Sequence, residues 1–138
     1  MRLKIVLDTN VLISVLGRKS PYKTVINKLL EDKYDLFVST EILLEYEEII
    51  VRLHNQAVAN TFLDVLSILP NVHQSTVYYR FLLITHDAED NKFADCAIAQ
   101  GAHYLVTNDK HYNVLLNLGF PKINLLTIEQ FQKLLEKY

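Results

Sequence analysis

The sequence predicts an α/β domain with a three-layer α/β/α architecture, in which helices cover a central, mostly parallel sheet of five strands. Two observations carry this prediction. Short apolar runs, typical of strands buried on both faces, alternate along the chain with segments whose apolar residues recur at helical spacing. The length of 138 residues, half of them hydrophobic, suits one globular domain over residues 1–138.

The first half of the chain contains two predicted strands and three predicted helices. The first strand ends at the polar triplet that begins with Asp8. Ser20 and Pro21 place an N-cap residue before a first-turn proline, Ser39 begins the cap of a long helix, and Pro70 ends the third helical pattern. The predicted elements are a strand at 3–7, a helix from 20 to about 32, a strand at 36–38, a helix that reaches 53, and a helix at about 55–69.

The second half repeats the alternation. Gly101 closes one predicted helix, and Thr127 with Gln130 offers a capping box for the last one. Residues 71–79 show no clear pattern. The predicted elements are a strand at 81–84, a helix at 90–100, a strand at 104–107, a helix from about 109 to 118, a strand at 123–126, and the final helix.

Composition excludes several classes of protein. The chain has no apolar run long enough to span a membrane and no secretory signal, so we expect no membrane association. A single cysteine, Cys96, allows no internal disulfide and favours the reducing cytoplasm; we expect it to fill core space. The formal net charge of −2 argues against a strongly basic nucleic-acid surface, although acidic site residues would also lower this sum.

Acidic residues are predicted to gather at one edge of the sheet. Asp8 follows the first strand and Asp109 follows the fourth, while Asp90 and Asp95 belong to the helix between the third and fourth strands. Because parallel strands end at the same edge, these carboxylates should lie near one another. Glu45 lies on the flank of the apolar stripe of its helix, where a carboxylate is costly without a cation or hydrogen-bond donors.

Converging carboxylates would repel one another unless a divalent ion neutralised them, and their oxygens suit Mg²⁺ or Mn²⁺ better than Zn²⁺. The histidines show no ligand-like spacing that would favour zinc. A structural role remains open for Asp8, Asp90 and Asp109, each of which could simply cap a turn or helix, and Asn108 could replace Asp109 as a cap. Asp95 is harder to explain structurally because its neighbours are apolar.

Four ordered motifs cover nearly the whole chain: VLDTNVLIS at 6–14, STEILLEYEEI at 39–49, DAEDNKFADCAIAQGAHYLVTNDKHY at 87–112, and INLLTIEQF at 123–131. In order and spacing they resemble the motifs of the PIN domain family. The similarity is closest to stand-alone prokaryotic PIN proteins described as toxin components of toxin–antitoxin pairs, the VapC-like proteins. Residues 55–79 carry little of this similarity.

The resemblance implies a Mg²⁺- or Mn²⁺-dependent endoribonuclease that hydrolyses RNA phosphodiester bonds. Asp90 remains a second candidate for the third acid, because one branch of the family carries an acid at that position. Asn10 and Thr107 match positions that support the site through hydrogen bonds. The catalytic and metal-binding acids of the family correspond to Asp8, Glu45, Asp95 and Asp109.

The resemblance also implies an RNA substrate, a small antitoxin as protein partner and a homodimer. Phosphates need positive partners, and unpaired bases stack on aromatic rings. Tyrosine in the core is an equally good interpretation for the aromatic candidates. The candidates for phosphate binding are Arg18, Lys19, Lys92 and Lys110, and those for base stacking are Tyr22, His111 and Tyr112.

Two other functions fit parts of the pattern. A PIN-fold module that binds RNA or a protein without cutting would keep the fold and lose turnover. A receiver-like phosphoryl-transfer domain could use Asp8 as its nucleophile. Such domains have a second aspartate two residues later or a lysine at the end of the fifth strand, where this chain has Asn10 and Leu126-Thr127. The second alternative is therefore disfavoured.

Overall fold

The computed structural model describes residues 2–75, 91–117 and 122–138. Within these ranges the chain forms one five-stranded sheet, and every pair of neighbouring strands is parallel. This confirms the predicted parallel α/β architecture. The strands are β1 (Lys4–Leu7), β2 (Asp35–Val38), β3 (Val72–Gln74), β4 (Tyr104–Val106) and β5 (Leu125–Leu126).

The strand order β3-β2-β1-β4-β5 places β1 at the centre of the sheet. Ile5 of β1 pairs with Leu36 on one side and with Tyr104 on the other. The chain therefore winds away from β1 in both directions, first through β2 and later through β4. In open parallel sheets, the crevice where the strand order reverses, outside the carboxyl ends of the strands, is the usual position of a ligand site.

Helices pack on the sheet and on one another in the predicted three-layer arrangement. The helix α5 packs on β1, β2 and β4, whereas α6 packs on β5 and α2, and α3 lies against α1, α4 and α5. The helices are α1 (Thr9–Val15), α2 (Lys23–Leu30), α3 (Thr40–Leu53), α4 (Gln56–Ile68), α5 (Asn91–Gln100) and α6 (Ile128–Leu135), with a 3₁₀-helix at Lys110–Asn117. In the described ranges we find no helix with the length and apolar character needed to cross a membrane.

Two predicted helix starts are confirmed by their caps. The Ser39 hydroxyl accepts a hydrogen bond from the Ile42 amide at the start of α3. Thr127 and Gln130 form a complete capping box, in which each side chain accepts from the other residue's backbone amide. The central strands supply the core, and Ile5, Val6 and Leu36 are fully buried.

The structure corrects the prediction around the first strand. The prediction placed one helix between the first two strands, starting at Ser20 and Pro21, but α1 begins directly after Asp8 and α2 begins only at Lys23. Packing explains α1, because three apolar side chains of this short helix are buried: Val11, Leu12 and Val15. Ser20 accepts from the Tyr22 amide in a turn that precedes α2, so it does not cap the helix.

Two other elements differ from the prediction. The segment after Asp109 forms a 3₁₀-helix instead of an α-helix. The strand β3 lies at 72–74, inside the segment that showed no clear pattern, and only the first of its three residues is even half-buried. The strand predicted at 81–84 and the candidate acid Asp90 lie outside the described residues.

Candidate active site

Asp8 and Asp109 meet at the switch point of the sheet, at the carboxyl ends of β1 and β4. The Asp8 amide donates to the Val106 carbonyl at 3.0 Å, which extends the β1–β4 pairing by one residue. The buried Thr107 hydroxyl donates to Asp8 Oδ2 at 2.8 Å and accepts from the Asp109 amide at 3.0 Å. Thr107 therefore connects the two acids, and its supporting role in the site stays a prediction.

The electrostatic environment of Asp8 disfavours its negative charge. Burial raises the pKa of Asp8, the negative charges of Glu45 and Asp109 raise it further, and the hydrogen bond from Thr107 opposes the shift. The backbone amide of Asn10 also lies close enough to lower this pKa. A buried carboxylate whose pKa is raised by neighbouring acids, in a crevice of the sheet, is a feature of functional sites.

Asp8 takes the N-cap position of α1 near the Asn10 amide, but the side-chain hydrogen bond that its carboxylate accepts comes from Thr107 on the other side of the sheet edge. The structural alternative therefore explains little of its environment. The structural alternative explains more of the environment of Asp109 and Asn108. Asp109 Oδ1 accepts from the His111 amide at 2.9 Å and caps the 3₁₀-helix, and Asn108 Oδ1 accepts from the Ile128 amide at 3.1 Å at the start of α6.

Glu45 reaches the same edge from α3. The fully buried Ile42, Tyr46 and Ile50 form the apolar stripe of this helix, and Glu45 lies on its flank as predicted, with 23% of its side chain exposed. Protein donors engage both of its carboxylate oxygens. The Thr9 hydroxyl donates to Oε2, and Lys92 Nζ donates to Oε1 at 2.8 Å. The cation and the donor that its position required are therefore both present.

Asp95 is buried on α5 with only 4% of its surface exposed, among the apolar residues that sequence reasoning singled out. Its negative charge adds to burial in raising the pKa of the Cys96 thiol. Cys96 itself fills core space as expected, with its sulfur 3.4 Å from the Ser75 hydroxyl. Within the described ranges, no three aspartate, glutamate, histidine or cysteine side chains come close enough together to form a metal-ligand set.

A polar cavity of about 300 Å³ opens beside Asp8 and Asp109, and a second of about 360 Å³ lies on the other side of Asp109. The two cavities share Asn108 and Asp109 as their common wall. The polar side chains that line the first cavity suit a polar ligand. The first is lined by Asp8, Asn10, Val11, Ser14, Tyr22, Asn108 and Asp109.

The basic candidates differ in their environments. Arg18 and Lys19 are exposed in the segment after α1, and Lys110 is exposed and lines the second cavity. Lys92, in contrast, has only 11% of its side chain exposed and forms an ion pair with Glu45. Its partner could not be read from the sequence.

The aromatic candidates also differ in how far their side chains are exposed. Tyr22 lines the first cavity and donates to Glu129 at 3.4 Å, and half of the His111 side chain is exposed beside Asp109. Tyr112 is fully buried, so the prediction that it stacks on bases is wrong and its alternative role in the core holds.

Sequence reasoning missed two polar contacts that organise this edge. One is the hydrogen bond of Thr9 to Glu45, for which the only signal was a hydroxyl next to Asp8. The other is the hydrogen bond from the Tyr46 hydroxyl to the Leu7 carbonyl at 2.6 Å, immediately before Asp8. Tyr46 looked like an ordinary member of the apolar stripe.

Comparisons with known proteins agree with this architecture. A family model described as the PIN domain matches residues 4–111. No curated protein matches the sequence. The fold is similar to three solved structures, each less than 25% identical in sequence, and this likeness therefore speaks for the fold alone.

The first of these structures is VapBC2 from Rickettsia felis bound to a DNA fragment from their promoter, with a TM-score of 0.63 and 19% identity over 91% of this chain and 98% of that chain. The second is DNA-bound VapBC from Salmonella typhimurium, with a TM-score of 0.57 and 15% identity over 91% and 98%. The third is FitAB bound to an IR36 DNA fragment, with a TM-score of 0.54 and 21% identity over 90% and 94%.

Proposed function

The chain belongs to the PIN domain family, and from this premise we propose that it is a divalent-metal-dependent endoribonuclease, formed by residues 1–138 as one domain. One observation carries the proposal. Asp8 is buried at the switch point of a parallel sheet, beside a polar cavity, and the charges of Glu45 and Asp109 raise its pKa. A metal-dependent enzyme that cleaves phosphodiester bonds uses carboxylates to hold cations against a phosphate.

Mg²⁺ or Mn²⁺ is the ion that this edge would take, because the two carboxylates that line the first cavity, Asp8 and Asp109, offer hard oxygen ligands and negative charge. When bound, the ion would stabilise negative charge on the phosphate and lower the pKa of water. We assign Asp8, Asp95 and Asp109 as its ligands, directly or through water, and Glu45 as the residue that binds or orients water. Asp90 stays a second candidate for the third acid.

The surrounding residues would prepare the acids and hold RNA. Thr107 fixes one oxygen of Asp8 and the backbone of Asp109, and Asn10 supports Asp8 through its backbone amide. Exposed cations near the cavities would contact RNA phosphates, and rings at the rim would stack on unpaired bases. We propose Arg18, Lys19 and Lys110 for the first role, and Tyr22 and His111 for the second.

We further propose that the protein acts as the toxin of a toxin–antitoxin pair, with a small antitoxin as its partner. The support comes from the comparisons, since each of the three similar structures is a VapBC or FitAB complex. A homodimer and a cytoplasmic location stay predictions.

A cleavage assay with a labelled single-stranded RNA panel tests the nuclease proposal. We expect cutting in Mg²⁺ or Mn²⁺, none in EDTA, and none by Asp8→Asn. Asp64→Asn is the matched control, because Asp64 is an exposed aspartate of α4 that takes no part in the site. Cutting that persists in EDTA or in Asp8→Asn would refute the metal-dependent mechanism. A folded wild-type protein that binds RNA without cutting it would favour the non-catalytic alternative.

A further inference from the structure

The ion pair between Lys92 and Glu45 brings a positive charge into the acidic site. Lys92 Nζ lies 2.8 Å from Glu45 Oε1, and the two side chains are 11% and 23% exposed. Lysine is rarely buried to this extent unless its charge is paired. The Thr9 hydroxyl engages the other oxygen of Glu45, so the carboxylate is held from both sides.

The position of Lys92 in its own helix makes this placement unusual. Lys92 is the second residue of α5, and the first turn of this helix contains no acidic residue. A cation at a helix N-terminus faces the positive end of the helix dipole, which is locally unfavourable. A compensating negative charge comes from Glu45, which lies on a different helix.

We propose that Lys92 is a positioning residue whose ammonium group takes one of the cation positions of the site, so that the protein binds a single divalent ion at the side of Asp8 and Asp109. This inference rests on the proposed metal dependence. Mg²⁺ binds carboxylate oxygens at about 2.1 Å. An ion on Glu45 Oε1 would therefore lie no more than about 4.9 Å from the ammonium nitrogen, given the 2.8 Å of the ion pair. Repulsion at that distance opposes a second ion on Glu45.

The geometry of the acids agrees with this assignment. Glu45 is directed to Lys92 and Thr9, and Asp8 is directed to Thr107, so the carboxylates do not converge on one point. The charge of Glu45 nevertheless reaches Asp8, whose pKa it raises. Lys92 thus offsets part of the negative charge of the site, and a single divalent ion has less charge left to neutralise.

Counting Mn²⁺ ions tests the proposal without any measurement of cleavage. We expect equilibrium dialysis, with free Mn²⁺ followed by electron paramagnetic resonance, to give one ion per wild-type chain. Lys92→Met removes the charge and keeps the length of the side chain. The affinity of this variant for a second Mn²⁺ ion should be at least about tenfold higher than that of the wild type for a second ion. Lys92→Arg keeps the charge and should bind one ion.

The double variant Lys92→Met/Glu45→Gln should return to one ion, because the second ion needs the Glu45 carboxylate. Two ions per wild-type chain, or one ion with unchanged affinity in folded Lys92→Met, would overturn the proposal. If Lys92→Met does not fold, as judged by circular dichroism, Lys92→Gln and the wild-type count still decide the question. A wild-type protein that binds no Mn²⁺ would overturn the metal dependence itself, whereas two ions would overturn only the role of Lys92.

Discussion

Tyr46→Phe should lower both the stability of the fold and its cleavage activity. Tyr46 is fully buried, and its hydroxyl donates to the Leu7 carbonyl at 2.6 Å. Burial raises the pKa of this hydroxyl well above its usual value, so it remains a donor at any ordinary pH. Phenylalanine keeps the ring and removes only the donor. The variant therefore tests one hydrogen bond, made one residue before Asp8.

The size of the effect follows from burial. A buried acceptor that loses its donor costs about 1–3 kcal/mol. Unfolding entropy of about 2.1 cal/mol/K per residue converts this, for 138 residues, to about 3 °C per kcal/mol, so Tm should fall by about 3–9 °C. Cleavage below Tm should fall about tenfold or more, because misplacing a catalytic group by about 1 Å can cost about a hundredfold.

Tyr34→Phe is the matched control. Tyr34 is also fully buried and donates to a backbone carbonyl, that of Val25 at 2.9 Å, but this carbonyl lies in α2. Both variants should lose stability to a similar extent, whereas only Tyr46→Phe should lose activity. Thermal unfolding and RNA cleavage, measured on both proteins, check this. Equal activity in the two variants would refute the argument that the hydroxyl of Tyr46 positions Asp8.

Three further predictions follow from contacts of the site and of α6. Asp8→Asn should raise the Tm of the metal-free protein at pH 7, because burial raises the pKa of Asp8 in the folded state and its ionised form therefore destabilises the fold. The stability that Asp8 contributes is complete below its usual pKa of 3.8 and is lost as the pH rises through its folded-state pKa. Unfolding scans in EDTA should therefore show that the gain in Tm shrinks as the pH falls toward 3.8. Thr107→Val removes the hydrogen bond that lowers the pKa of Asp8, so in the metal-free protein the Asp8 carboxyl should titrate at a higher pH than in the wild type; an unchanged titration, followed by NMR, would show that this hydrogen bond does not tune Asp8. Thr127→Ala should cost about 1 kcal/mol through loss of the capping box, with a Tm about 3 °C lower, and an unaltered Tm would show that this cap contributes no stability.

Strand ends were the most predictable part of this molecule. Continuous apolar runs predicted β1 and β4, and the parallel arrangement then brought Asp8 and Asp109 to one edge without any knowledge of side-chain contacts. Helical angles also placed Glu45 correctly on the flank of its stripe. These predictions needed only local periodicity and one rule of topology.

Local periodicity and strand topology could not predict the contacts between helices. The partner of Lys92 is 47 residues away in the sequence, and their pairing depends on how α3 lies against α5. The helix α1 escaped prediction because its apolar residues follow the strand after only a short polar break, and tertiary packing decides its conformation. The strand β3 is too short and too exposed to leave a periodic signal.

The hydrogen bond between Thr107 and Asp8 joins residues 99 positions apart, across the pairing of the first strand with the fourth. Contacts between such distant residues form late, because a long loop must close before they become favourable. A growing polypeptide therefore has no assembled site until more than 100 residues have been synthesised and β4 has docked. For a protein proposed to cut RNA, this order delays its activity until the chain is nearly complete, and it makes any early truncation inactive regardless of which acids it retains.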